Sequence, residues 1–323
     1  MAKFAIIVPM YNAAETIAAT VDSVRAQTVD DWELYLADDG SADATIDVAA
    51  KAAGGDPRIT IVECGRLGNM NKVRNRILPR TSSPFVCQLD ADDLYDPSFL
   101  ESQSTLQRET DAAVVHSAAK HLIDGQVVSV PPSYRGPAIC DPPWMIGQLC
   151  PRNPVYAPSA IICRDALDDV GGFSEVPEHF SVGDGDLWLR MAPKYRFAYN
   201  PDPLLLYRIR PESLCHNPSN YLRNRRGELI SIQGAIERGG DLPPELLRRL
   251  RRRLSRVHSA YGRLLLDEKP PLREEARDQF RAAFRQAPFW SQYLPFHLLS
   301  LAGAGPPYYL HRLLRALRGN QSE

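Results

Sequence analysis

The chain has 323 residues, 44% of them hydrophobic and 24% charged, enough to bury a sizeable core and too ordinary in charge for a wholly disordered polypeptide. A net charge of -1 hides an asymmetry: residues 1–220 carry 19 Lys+Arg against 29 Asp+Glu, and residues 221–323 carry 19 against 10. The acidic body argues against nucleic acid as a partner, whereas the basic tail suits anionic lipid, an acidic acceptor or only water.

Phe4 to Val8 is a short continuous apolar run, the pattern of a strand buried on both faces of a parallel sheet. Ala13 to Gln27 spaces Ile17, Val21 and Val24 as a helix would. A strand over Trp32–Ala37 and a helix over Ser41–Ala53 follow, with Ser41 as its expected N-cap. Ile59–Val62 reads as a third strand, Asn69–Leu78 as a helix stopped by Pro79, and Phe85–Leu89 as a fourth strand. Val114-Val115 marks another strand, with a turn at Asp124-Gly125. Residues 131–158 hold eight of the 27 prolines and read as a loop. Ser159–Cys163 returns to strand character, residues 184–191 to helix and Tyr195–Tyr199 to strand. This alternation predicts an α/β layer with a mostly parallel sheet flanked by helices. After residue 220 only helices are expected. Over Glu245–Leu266, Leu246, Leu250, Leu254, Val257, Tyr261 and Leu264 share a face and the arginines of 248–256 lie largely elsewhere; a second amphipathic helix spans Leu272–Gln286. The division predicted is a catalytic domain over 1–220 and a helical C-terminal region over 221–323.

Six scattered cysteines without a C-x-x-C pair predict a reducing compartment, the cytoplasm, and no zinc site. No run of about 18 apolar residues is available to span a bilayer. No G-x-G-x-x-G follows the first strand and no G-x-x-x-x-G-K-[ST] occurs, so dinucleotide-binding and P-loop readings lack their phosphate loops.

Four clusters can carry chemistry. Gln88-Leu89-Asp90-Ala91-Asp92-Asp93 puts carboxylates at i and i+2 after a buried strand, where they can meet on Mg²⁺ or Mn²⁺ that fills its shell with phosphate and water; capping of the next helix is the plain alternative. An EF-hand fails because Leu94 and Tyr95 stand where a ligand and a glycine are needed, and an aspartyl phosphatase would place its nucleophile after the first strand. Ala37-Asp38-Asp39-Gly40-Ser41 offers a carboxylate to a base or ribose, or simply caps a helix. Val8-Pro9-Met10-Tyr11-Asn12 offers a tyrosine to stack on a base, or is an ordinary strand-to-helix turn. In Val182-Gly183-Asp184-Gly185-Asp186-Leu187-Trp188-Leu189-Arg190, Asp184 can act as a general base at a helix start, or as an N-cap. The first three follow successive predicted strands and so share one sheet edge, the position at which open α/β sheets bind ligands.

With these strings in the order Val8–Asn12, Asp38–Ser41, Arg74-Asn75, Asp90–Asp93, Gly171-Gly172-Phe173, Gly183-Asp184 and Tyr207-Arg208, residues 3–216 resemble an inverting family 2 glycosyltransferase of GT-A fold. The resemblance implies a nucleotide-sugar-binding domain with a helical appendage, a nucleotide-diphosphate sugar donor (a UDP-sugar), a glycan or lipid-linked acceptor, and Mn²⁺ or Mg²⁺ as cofactor. It implies that Pro9, Tyr11 and Asp39 hold the nucleoside, that Glu15, Lys72, Arg74, Asp90, Ala91 and Arg210 lie along the nucleotide, and that Asp92 and Asp90 meet the metal. Asp184 matches the catalytic base. The family often has Glu where Gly183 stands, and often ends Tyr-Arg-x-His, where this chain has Arg210; His216 is the substitute metal ligand. A metal-dependent nucleotidyltransferase and a non-catalytic nucleotide-sugar-binding protein are the alternatives. The tail's last stretch, Tyr308 to Arg318, mixes aromatic and apolar residues with arginines, as interfacial helices do, which predicts peripheral contact with the inner face of a membrane.

Overall fold

The apolar run at the start of the chain forms β1 (Phe4–Met10), buried at every position, as a central strand with parallel neighbours on both sides must be. In this computed structural model, which describes residues 2–210, 213, 217–288 and 294–319, β2 (Trp32–Asp38) and β4 (Phe85–Gln88) flank β1, and β3 (Ile59–Glu63) lies beyond β2, all parallel. The connections carry α1 (Ile17–Arg25), α2 (Thr45–Ala53) and α3 (Met70–Ile77). Asn69 caps α3 by accepting from Asn71 N, and Pro79 lies in a 3-10 turn just past its end. Ser41 is not the cap of α2. Its hydroxyl turns back to Asp38 at 2.5 Å, and Asp43 accepts from Thr45 N at 3.0 Å instead. A short polar side chain facing a strand-end carboxylate prefers that partner to a helix start four residues away.

Past β4 come β5 (Leu94–Tyr95), α4 (Phe99–Thr110) and β6 (Val114–Ile123). Asp124 and Gly125, at φ 48° and 77°, make the tight hairpin turn to β7 (Gln126–Ser129). The stretch 131–158, expected as loop, holds β8 (Ile139–Cys140) and α5 (Met145–Leu149); its prolines punctuate short elements. Then follow β9 (Ala160–Cys163), α6 (Arg164–Asp169), α7 (Gly183–Met191) and β10 (Phe197–Ile209). Expected to stop at Tyr199, β10 continues past Pro201 and Pro203 through two register shifts against β6, the irregularity that proline in a strand requires.

The sheet order is β3-β2-β1-β4-β9-β6-β10-β5, with β7 on β6 and β8 on β10. It is mixed: β9 runs antiparallel to both β4 and β6, and β10 parallel to β6. Two reversals restore direction, so β6 and β10 run the same way as β1, β2 and β4. The carboxyl ends of β1, β2, β4 and β10 therefore share one edge. The segment leading into β9 enters from that same edge. This geometry decides which loops can meet.

The chain divides into two compact units, Met1–Ser213 and Leu214–Glu323. The second holds α8 (Tyr221–Glu237), α9 (Pro244–Asp267), α10 (Arg273–Gln286), α11 (Leu294–Ser300) and α12 (Gly305–Gly319). α8 escapes sequence reading because Gly227, Ser231 and Gly234 dilute its apolar stripe. On α9, Leu246, Leu250, Leu254, Val257 and Tyr261 are buried, and the stripe ends on Leu265 rather than Leu264. Arg253 departs from the expected solvated set: it is buried and pairs with Glu228 of α8 at 2.8 Å. No described helix is long and apolar enough to cross a membrane. The five described cysteines, Cys64, Cys87, Cys140, Cys150 and Cys163, are free thiols.

Candidate active site

The end of β2 is organised by two adjacent aspartates with different tasks. Asp38 holds its own turn, accepting from Gly40 N at 2.9 Å, Ser41 N at 3.0 Å and the Ser41 hydroxyl. Asp39 reaches the next loop, accepting from Leu67 N at 2.6 Å, Gly68 N at 3.1 Å and the Arg66 guanidinium. Gly40 permits this approach: at φ +75° its Cβ would lie 3.1 Å from Arg66 N. After β1, Asn12 takes a left-handed φ of 48°. Its side chain accepts from Ala42 N at 2.9 Å, and its N–H donates to the Ser41 hydroxyl at 3.0 Å, which latches the β1 turn to the β2 turn. Tyr11 is left 47% exposed with Arg66 stacked 3.7 Å above its ring. An exposed aromatic face beside a buried carboxylate is the pair of groups a nucleoside needs, one to stack on and one to accept an N–H. Pro9 lies in β1 opposite Ala37. Arg66 was missed in the sequence; Gly65 and Gly68, both at φ 67° just after β3, were the signal of a tight loop at this edge.

At the end of β4, each carboxylate of the expected metal pair has an arginine. Arg74 of α3 donates to Asp90 at 2.8 Å and Arg210, just past β10, to Asp92 at 2.9 Å. Arg208 holds the turn from behind, its Nε donating to the Asp92 carbonyl at 2.9 Å and its backbone N–H to Asp93 at 2.8 Å. The Ala91 carbonyl accepts from the Thr20 hydroxyl at 3.1 Å. Burial pushes Asp90 up to about 6, with Arg74 opposing and the charges of Asp92 and Asp184 adding to the rise. Glu15 is exposed and Lys72 half-buried, and both lie outside this hydrogen-bonded set. His216 falls outside the described residues.

Among the described residues no three His, Cys, Asp or Glu side chains form a metal cage. The donors present, Asp92 with Asp90 beside it, fit an ion that takes one or two carboxylate oxygens and completes its shell with phosphate and water, as Mg²⁺ and Mn²⁺ do. Arg210 cannot ligate a metal; it can bind phosphate or, as here, a carboxylate.

Asp184 stands in the first turn of α7. Asn153, from the segment leading into β9, donates to its Oδ2 at 2.6 Å. Burial raises the Asp184 pKa, and the Gly185 backbone, the Arg74 charge and Asn153 oppose that rise. Arg74 thus acts on two carboxylates, touching Asp90 and attracting Asp184. Asp186 has another role: with Arg190 at 2.7 Å it aims a guanidinium that also donates to the carbonyls of Val170 and Gly172. Two asparagines one helical turn apart on α3, Asn71 and Asn75, fasten this region through Ser174 O and Phe173 O. They also account for Gly183. A Cβ there would lie 2.1 Å from the Asn71 amide, so the glutamate frequent in the resembled family would have to push that amide off the Ser174 carbonyl. Asn153 and Asn71 carry no spacing signal in the sequence, since their partners lie 31 and 103 residues away.

Residues 5–134 match the family described as Glycosyl transferase family 2. The putative glycosyltransferase EpsE of Bacillus subtilis (strain 168) is 27% identical over 236 residues, 72% of this chain and 80% of that one. Among solved structures, S. aureus TarS 1-349 in complex with UDP-GlcNAc superposes with a TM-score of 0.72 at 20% identity, over 97% of this chain and 92% of that one. The mannosyltransferase PcManGT of Pyrobaculum calidifontis, in complex with GDP-Man and Mn2+, gives 0.59 at 20% identity, over 98% and 84%. The match to Glycosyl transferase family 2 spans β1 to β7, and the sheet with its strand-end loops gathered on one edge has a GT-A-like fold.

Proposed function

We propose that this chain is an inverting glycosyltransferase that moves a sugar from a nucleotide-diphosphate donor, a UDP-sugar, to a hydroxyl of a glycan or lipid-linked acceptor. The observation that carries the reading is the carboxylate of Asp184. It is held by Asn153, raised in pKa by burial, and coupled through Arg74 to the Asp90-Ala91-Asp92 turn. A base needs an affinity for protons above that of a surface carboxylate, and a position across from the leaving group. A nucleotidyltransferase has no use for such a base.

The nucleoside lies against Tyr11 and Asp39, with Arg66 displaced from the tyrosine face. The diphosphate lies over Asp90 to Asp92, where Arg210 can exchange its carboxylate partner for a phosphate oxygen. Asp92, with Asp90 beside it, would hold the divalent cation, which would supply Lewis-acid neutralisation of the departing diphosphate. Asp184 takes the proton from the acceptor hydroxyl as its oxygen bonds to the anomeric carbon. The bond from that carbon to the diphosphate breaks on the opposite face, and the nucleoside diphosphate leaves. One displacement gives inversion. General-base assistance contributes about 10²–10⁴-fold. The complexes of TarS with UDP-GlcNAc and PcManGT with GDP-Man and Mn2+ support a nucleotide-sugar donor and a metal, and the EpsE likeness supports glycosyl transfer. The test is incubation with a panel of UDP-sugars and Mn²⁺, with release of UDP as the readout. Release that needs both an acceptor and an intact Asp184 is expected. A protein that binds UDP-sugars and never turns one over contradicts the proposal.

A further inference from the structure

The last helix of the second unit is amphipathic in the inverted sense. α12 is fastened to α9 and α10 by polar groups. His311, buried, meets Asp267 at 2.9 Å, Arg315 meets the same carboxylate at 2.6 Å, and the Arg273 guanidinium lies 3.8 Å over the Tyr308 ring. At about 100° per residue, Tyr308, His311 and Arg315 form one stripe, and Tyr309 and Leu313 fall on the opposite one. Tyr309 is 66% exposed and Leu313 57%. Leu314, with Leu298 of α11 and Leu301 just after it, adds further exposed apolar surface. A helix made for intramolecular packing would turn these residues inward. Here His311 and Arg315 face the body and Tyr309 and Leu313 face out, with Arg312 exposed at the edge of that face.

We propose that this outer face of α11 and α12 docks on an anionic phospholipid bilayer. Tyr309, Leu301 and Leu313 would enter the headgroup boundary, and arginine stems would lie along it with their guanidinium groups at the phosphates. Charge selects this occupant over a second copy of the chain. Residues 221–323 carry nine more basic than acidic groups, so apposing two such faces brings like charges together, whereas an anionic surface attracts them. The proposal concerns the second unit alone and stands or falls independently of the catalytic reading.

The test is sedimentation of the full chain with vesicles. The protein should pellet with mixed phosphatidylglycerol–phosphatidylcholine vesicles at low salt. It should stay in the supernatant with phosphatidylcholine alone, and added salt should release it. The double substitution Tyr309→Ser, Leu313→Ser should weaken partitioning by about tenfold or more with an unchanged thermal melt, since both side chains are already exposed. Arg312→Glu should weaken binding to the anionic vesicles. Three outcomes overturn the proposal: a wild-type protein that stays in the supernatant with anionic vesicles; a double variant that pellets like wild type; or a protein that ignores vesicles and forms, by light scattering, a dimer that the double variant dissolves.

Discussion

Arginine serves different ends in the two units. In residues 1–213, Arg66, Arg74, Arg190 and Arg210 each pair with an aspartate, and three of those carboxylates stand at or just past the ends of β2 and β4. In residues 214–323 the described ion pairs are mostly those of helix surfaces, such as Arg249 with Glu245, about half exposed on each side. Arg253 with Glu228, and His311 with Asp267, are the sheltered exceptions. A surface pair is worth about 0–1 kcal/mol and is readily lost. A sheltered pair that also lies at a strand end is chemistry in waiting, because either partner can be handed to a ligand.

Several substitutions sharpen this contrast. Among those that alter binding or stability, Asp92→Ala has the largest expected effect. In the wild type, chelation of Mn²⁺ should weaken UDP binding by about 10–100-fold; in the variant, calorimetric affinity should be the same with and without chelator. A variant that keeps the full chelator response shows the metal lies elsewhere. Arg253→Ala comes next. It leaves Glu228 sheltered without its main counter-charge and should cost about 3 kcal/mol in denaturant unfolding. Burial alone would raise the Glu228 pKa, but Arg253 and Arg225 bring it below the ordinary value. That stabilisation is present above the unfolded pKa and is lost as pH falls through the depressed one, so the variant should also be less sensitive to acid. Asn153→Ala acts on catalysis. The amide opposes the rise in the Asp184 pKa, so its removal should raise that pKa further and move the acid limb of the kcat/KM profile to higher pH. A loss of activity uniform across pH would mark Asn153 as merely structural. The smallest effect is expected for Arg249→Ala, within about 0.5 kcal/mol in the same unfolding experiment.

Much of the first unit was legible because parallel strands announce themselves. The run Phe4–Val8 is apolar on both faces and Phe85–Leu89 is so but for Gln88, and the turns that follow them, Pro9–Asn12 and Asp90–Asp93, fall where the topology then placed an edge. What could not be read was what crosses the sheet. The antiparallel β9 between β4 and β6 brings Asn153 to Asp184, and the extension of β10 past two prolines brings Arg208 and Arg210 to Asp92 and Asp93. Neither contact leaves a periodic trace, since partners 31 to 118 residues apart are joined by topology alone. Gly183 looked like a departure from the resembled family and became intelligible only beside Asn71. In the tail the heptad-like spacing of α9 was plain, whereas α8 was hidden by its small residues.

Asp184 and Asp186 lie two residues apart on one helix, and only one of them should be a base. The most direct test is to prepare Asp184→Asn and Asp186→Asn side by side and measure UDP affinity, transfer rate and unfolding midpoint for each. Asp184→Asn should bind UDP like wild type, fold as stably, and lose transfer by about 10²-fold or more. Asp186→Asn, deprived of its charged pairing with Arg190, should unfold earlier yet keep its turnover per folded molecule. The account is contradicted if Asp184→Asn transfers sugar at the wild-type rate, or if Asp186→Asn is the variant that binds UDP normally and cannot turn it over.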